Sequence, residues 1–127
     1  MTPTQVLALK IGDPIDGGKF AGIITLPNGK TVAVALLPNK PDKILNWADA
    51  MAWATESGGQ IPSRPIAALI FANLKSEFEE EWHWMNETCD FDASYAWYCI
   101  FYDGYQYYRD KSYEGCARSV RLIHLEP

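Results

Sequence analysis

Three sets of residues in this 127-residue chain have types that could do chemistry. The first is Cys89, Cys99 and Cys116 with the two histidines, His83 and His124. A cysteine reacts as its thiolate and needs a base or a positive neighbour to form it. None of the three has a basic residue adjacent in sequence, so a Cys–His dyad would rest on the bare presence of both types. Their number is odd and no CxxC spacing occurs, so buried thiols are expected rather than a disulfide framework. A structural zinc would need four ligands of this kind. The second set is acidic. Glu77, Glu79, Glu80 and Glu81 could supply a carboxylate pair for acid–base work, but beside no assigned partner they read as a solvated face. Asp90 and Asp92, in "CDFDAS", offer two oxygens where calcium wants six to eight, and read as an acidic turn. No catalytic residue, metal ligand or cofactor is assigned.

The third set is aromatic. "AWYCIFYDGYQYYRD", Ala96 to Asp110, packs seven rings around Asp103-Gly104. A two-residue turn there pairs Tyr102 with Tyr105 and Tyr98 with Arg109. Side-chain alternation then puts Trp97, Cys99, Phe101, Gln106 and Tyr108 on one face and Tyr98, Ile100, Tyr102, Tyr105, Tyr107 and Arg109 on the other. The first face is assigned to the core. The second gives the candidate binding residues Tyr98, Tyr102, Tyr105, Tyr107 and Arg109, with Trp84, Met85 and Asn86 extending the patch from the preceding strand. Tyrosine offers a rigid amphipathic contact with few torsions to freeze. The alternative, that this face is covered by the N-terminal hairpin or lies at the surface as cross-strand pairs, stays open.

The elements that would position these residues read clearly. "KFAGIITLPNGKTVAVALLP" predicts a hairpin turning at Asn28-Gly29. "NWADAMAWATESGG" predicts a helix capped by Asn46 and ended by Gly58-Gly59. "PSRPIAALIFANLKSEF" predicts a second helix, capped by Ser63 with Pro65 in its first turn. "WHWMNET", "SYAWYCIFYDGYQYYRD" and "ARSVRLIHL" then read as strands of an antiparallel meander. The expected class is α+β in one domain, residues 1–127. A net charge of −5 argues against direct nucleic-acid binding, which needs clustered Lys and Arg, while an acidic protein seated in a partner's nucleic-acid groove stays open. The apolar run Val6 to Leu9 is too short for a signal peptide or a membrane span, so a cytosolic protein is expected.

"NWADAMAWA", "GGQIPSRPIAALIFANL", "WHWMNET", "YAWYCIFYDG" and "ARSVRLI" together resemble the Lcl C-terminal domain family, a domain of unknown function within the C-type-lectin-like superfamily. The likeness covers most of residues 46–123, and the N-terminal hairpin is similar to that of prophage members. Ile66 stands where the family usually has Glu, His83-Trp84-Met85 where it has Tyr-Trp-Ser, and Ser119 where it has Cys. The resemblance implies a C-type-lectin-like portion at 39–127 behind an N-terminal loop and hairpin at 1–38. The calcium motifs of sugar-binding lectins, Glu-Pro-Asn or Gln-Pro-Asp followed by Trp-Asn-Asp, are not in the sequence. The resulting expectation is a non-enzymatic protein-binding module of phage or prophage origin, directed at a host protein through the Tyr-rich strand face, in the host cytoplasm. The alternatives are a virion-associated host-attachment or carbohydrate-binding module and, third, an enzyme.

Overall fold

A computed structural model of the chain describes residues 1–125. It is α+β, with two antiparallel sheets and three α-helices among the described residues. A five-residue helix, α1 (Pro3–Leu7), opens the chain, and a two-residue strand, β1 (Pro14–Ile15), follows it. The expected hairpin is β2 (Gly18–Thr25) and β3 (Thr31–Leu36). Gly29, at φ +87°, turns the chain, and its N–H donates to Leu26 O. The two predicted helices are α2 (Trp47–Glu56) and α3 (Arg64–Leu74). Asn46 accepts from the Asp49 N–H and Ser63 from the Ile66 N–H, so each helix has the N-cap expected of it. After a 3₁₀ turn the chain forms β4 (Trp82–Cys89), β5 (Asp92–Ile100), β6 (Gln106–Asp110) and β7 (Val120–His124).

Strand order is β1-β2-β3-β7 in one sheet and β4-β5-β6 in the other. The hairpin is therefore not a separate unit, because β3 pairs from Val32 to Leu36 with β7, which joins this sheet and not the expected meander of β4, β5 and β6. Helix α3 is wedged between the sheets. Ala21, Val34 and Leu36 from one, Ile66, Ile70 and Leu74 from the helix, and Met85, Cys99 and Phe101 from the other form one buried cluster. A bulge between Phe20 and Gly22 lets the helix approach β2, and Asn73 Nδ2 donates to the freed Ala21 O at 2.7 Å. At Gly22, φ +129°, a Cβ would stand 3.1 Å from Leu69 and 3.2 Å from Asn73.

The outer faces of both sheets are covered too. Ala33 and Ala35 pack with Val6, Ile15 and Phe20 beneath α1, while Trp84 and Ala96 pack with Ala50 and Ala54 of α2. A strand covered on both faces buries successive residues, which is why "TVAVAL" is apolar without alternation. The same holds in β4. Met85 faces α3 and Trp84 faces α2, both 1% exposed, so the expectation that they extend an exposed patch is corrected. Asn86 is half-buried, and its N–H donates to Pro62 O.

The hairpin from β5 to β6 also differs in register from expectation. Tyr98 pairs with Tyr107 and Cys99 with Gln106, a shift of two residues that leaves the face assignment intact. The loop is longer because Phe101 turns inward. Its ring stacks on Phe78 at 3.9 Å and meets His83 edge-on at 5.0 Å, and its N–H donates to Glu81 O. Gly104, at φ +81°, closes the loop where a Cβ would lie 2.7 Å from the Phe71 ring. Neighbours in sequence thus differ sharply: Phe101 is 1% exposed and Tyr102 is 61% exposed. Phe101→Ala is expected to cost about 3–5 kcal/mol of unfolding free energy through the cavity it opens, and Tyr102→Ala to stay within about 0.5 kcal/mol. Chemical denaturation of the two variants checks the difference.

Candidate functional site: an aromatic margin on the outer strand

The strand β6 is one of the two outer strands of its sheet, and the N-terminal hairpin belongs to the other sheet. The Ile100 N–H donates to Tyr105 O and the Lys111 N–H to Ser94 O. By alternation, Tyr105, Tyr107, Arg109 and Lys111 direct their backbone groups to β5, while those of Gln106 and Tyr108 face outward. Over this edge lies a run of rings. Tyr105 stacks with Tyr107 at 5.8 Å, Tyr107 with Tyr108 at 4.4 Å, and Tyr108 with Tyr95 at 5.8 Å, all within 20° of parallel. Phe91 closes the far end edge-on to Tyr108 at 4.8 Å. Adjacent strand residues point to opposite faces. The Tyr107 and Tyr108 rings nevertheless stack, while Tyr108 keeps its contacts with Tyr95 and Trp97 on its own face, so the row of rings runs across the strand.

The margin is braced from beneath. Arg64, at the first turn of α3, lays its guanidinium 3.6 Å from the Trp97 ring centroid, and Trp97 meets Tyr108 edge-on at 5.5 Å. Arg64 Nε donates to Gln106 Oε1, and Gln106 Nε2 returns a bond to Arg64 O. The Arg64 N–H in turn donates to Glu87 Oε2 at 2.7 Å, a carboxylate placed at the helix N-terminus where the dipole favours it. Helix and hairpin are locked together by polar groups that satisfy one another.

The structure brings together some of the expected binding residues and separates others. Tyr105 and Tyr107 share the margin and are 54% and 42% exposed. Tyr98 is half-buried against the α2 cluster, under the Arg109 guanidinium. Arg109 sits among Trp82, Tyr98 and Tyr113, between 4.8 and 5.6 Å from their centroids, and is half-buried there rather than standing free at an edge. Tyr102 is exposed in the loop near Lys75 and makes no ring contact with the margin. Phe91, Tyr95 and Tyr108 belong to the margin and were not expected in it. Alternation sends Tyr108 to the core face, but β6 lies beyond the cover of α3, so core-facing residues there reach solvent. The cluster of tyrosines in sequence was a signal; which of them lie past the helix was not readable.

The other chemical candidates are placed as follows. The hydroxyl and N–H of Ser94 donate to Asp92, which lowers its pKa, so this carboxylate closes its own turn. Among the described residues, no group of three or more His, Cys, Asp or Glu is gathered as metal ligands would be. All three cysteines are free thiols, and burial pushes each upward, Cys99 and Cys116 to about 11. His83 and Cys116 do become neighbours through a parallel bridge between β4 and the returning chain. Burial holds the His83 imidazole down at about 4, so thiol and imidazole are both neutral at pH 7 and form no thiolate–imidazolium pair.

Scanned against protein-family models this chain matches none, and a search of curated proteins finds no significant relative. Among the described residues, no helix is long and apolar enough to cross a membrane.

A pH dependence follows from His83. Its pKa is lower folded than unfolded, so the unfolded chain binds the proton first as pH falls. This contribution is present in full above pH 6.5 and is lost as pH falls towards 4, at most about 3 kcal/mol. Unfolding free energies between pH 7 and 4 are expected to fall more steeply for the wild type than for His83→Gln. A thiol reagent at neutral pH is expected to label all three folded-state cysteines slowly.

Proposed function

We propose that this protein is a non-enzymatic binding module that grips a protein partner through the aromatic margin of β6. The observation that carries this is the braced row of exposed, stacked tyrosines, Tyr105 and Tyr107 with Tyr108 behind them. Ordering these rings in advance lowers the entropy lost on binding, and aromatic anchors dominate protein interfaces. The neutral thiol of half-buried Cys116 and the neutral imidazole of buried His83 favour binding over catalysis. A C-type-lectin-like scaffold, and a phage or prophage protein directed at a host protein, belong to the same proposal. They are supported by the order of hairpin, two helices and meander together with the sequence resemblance.

A second reading, carbohydrate binding, is favoured by the exposed ring surface of Tyr105 and Tyr107, held by their mutual stacking. A photo-crosslinking residue at position 107 would capture the partner and separate protein from glycan. The double variant Tyr105→Ala, Tyr107→Ala is then expected to lose about 2 kcal/mol or more of binding energy while melting close to the wild type. Retained binding by a folded variant would put the site elsewhere.

A further inference from the structure

A second site, away from the margin, lies where the chain folds back after β6. A cavity of about 240 Å³ is lined by the cations Lys40, Lys43 and Arg118, the carboxylates Asp42 and Glu79, and His83 with Cys116. A second cavity of about 450 Å³ shares Lys40 and Arg118 and adds Lys19 and Glu77. Arg118 is the unusual member. It is only 6% exposed, yet no carboxylate pairs with it among the described residues. Its Nη1 donates to Glu77 O at 2.7 Å and its Nη2 to Leu37 O at 3.0 Å, while Nε is sealed without a partner. Two neutral carbonyls and the Phe78 ring, 4.8 Å from Cζ, leave most of its five N–H groups without a partner, and its charge is met only at a distance, by Glu77 and Glu79.

Two of the three carboxylates nearby are engaged elsewhere, and Asp42, on the rim beside Lys43, has no ion pair among the described residues. Glu77 pairs with Lys19, and Glu79 pairs with Lys40 at 3.6 Å and accepts the Cys116 S–H. The Lys40–Glu79 pair is exposed on both sides, so it is weak and Lys40 is free to turn inward. His83 completes the lining. A carbonyl only accepts, so its hydrogen bond with Glu81 O at 2.9 Å puts the proton on Nδ1. Neutral Nε2 is then an acceptor without a hydrogen-bond partner among the described residues, on a side chain that lines the cavity. A buried cation, a mobile ammonium and one acceptor thus converge on a small space.

We infer that this cavity binds a small oxyanion of the phosphate class, whose charge is met by Arg118 and Lys40 and whose remaining O–H donates to His83 Nε2. The class follows from the mixture. Chloride satisfies the cations but not Nε2, and a simple carboxylate lacks the O–H at neutral pH. Inorganic phosphate keeps an O–H in both of its forms near pH 7, whereas a phosphomonoester, with a second pKa of about 6, is mostly a dianion without one, so the free ion is the form the cavity favours.

The test follows the His83 imidazole by NMR at pH 7 during titration with inorganic phosphate, methyl phosphate, acetate and chloride at matched ionic strength. A saturable His83 shift is expected with phosphate in the millimolar range or below, absent with chloride and much weaker with acetate. Methyl phosphate, mostly a dianion without an O–H at pH 7, is expected to bind more weakly than inorganic phosphate, and equal binding of the two would overturn the role of His83 Nε2. Lys40→Ala, at an exposed position, is expected to raise the phosphate Kd several-fold without changing the melting temperature. Arg118→Gln removes the site, and any loss of folding there leaves the Lys40 result as the decisive one. No saturable shift, equal responses to acetate and phosphate, or an unchanged Kd in Lys40→Ala would overturn the proposal.

Discussion

The structure depends on one constraint: its inner strands are covered on both faces. Helix α3 fills the space between the two sheets, α1 closes the far side of one and α2 the far side of the other. Every residue of β3 from Val32 to Leu36 is buried as a result, and so are His83, Trp84 and Met85 in succession along β4. The polar ends of these large side chains are met by backbone, Trp84 Nε1 by Leu45 O and Trp47 Nε1 by Met85 O. Cover of this kind needs a helix over each strand, and the chain runs out of helix at β6. The outer strand must then solve the problem of an open edge by itself. It does so with tyrosines, whose rings bury one another and still tolerate water at the hydroxyl.

Much of this was legible. Asn46 and Ser63 marked helix starts because their side chains can answer orphan N–H groups, and Asn28-Gly29 marked a turn because both residues accept unusual φ. The division of the β5–β6 hairpin into two faces was legible as well, since period-two alternation survives a shift of register by two. The register itself was not. Asp103-Gly104 looks like a two-residue turn, but Phe101 gains more by stacking on Phe78 than by staying in the ladder, and tertiary packing overrode the local signal. The short α1 carried too few residues for a periodic signal, despite its Thr2 cap and Pro3.

The site was readable in kind and not in membership. A sequence gives the alternation of a strand but not where its covering helix ends. Tyr98 and Arg109 therefore looked like neighbours of Tyr107 at a surface and instead lie half-buried against the α2 side. Tyr108 looked like core and lies at the margin. Trp84 and Met85 failed for the related reason that a strand buried on both faces offers no outward side. The approach of His83 to Cys116, made by chain segments far apart in sequence, had no local signature at all.

The central claim is that the margin of Tyr105 and Tyr107 meets the partner. Tyrosine nitration in the free protein and in the complex, read residue by residue by mass spectrometry, tests it with internal controls. Tyr102, Tyr105, Tyr107 and Tyr113 are all exposed and are expected to react in the free protein. In the complex, Tyr105 and Tyr107 are expected to be protected while Tyr102 and Tyr113 still react. Protection of Tyr102 and Tyr113 with Tyr105 and Tyr107 unprotected, or the same pattern in both states, would contradict the account.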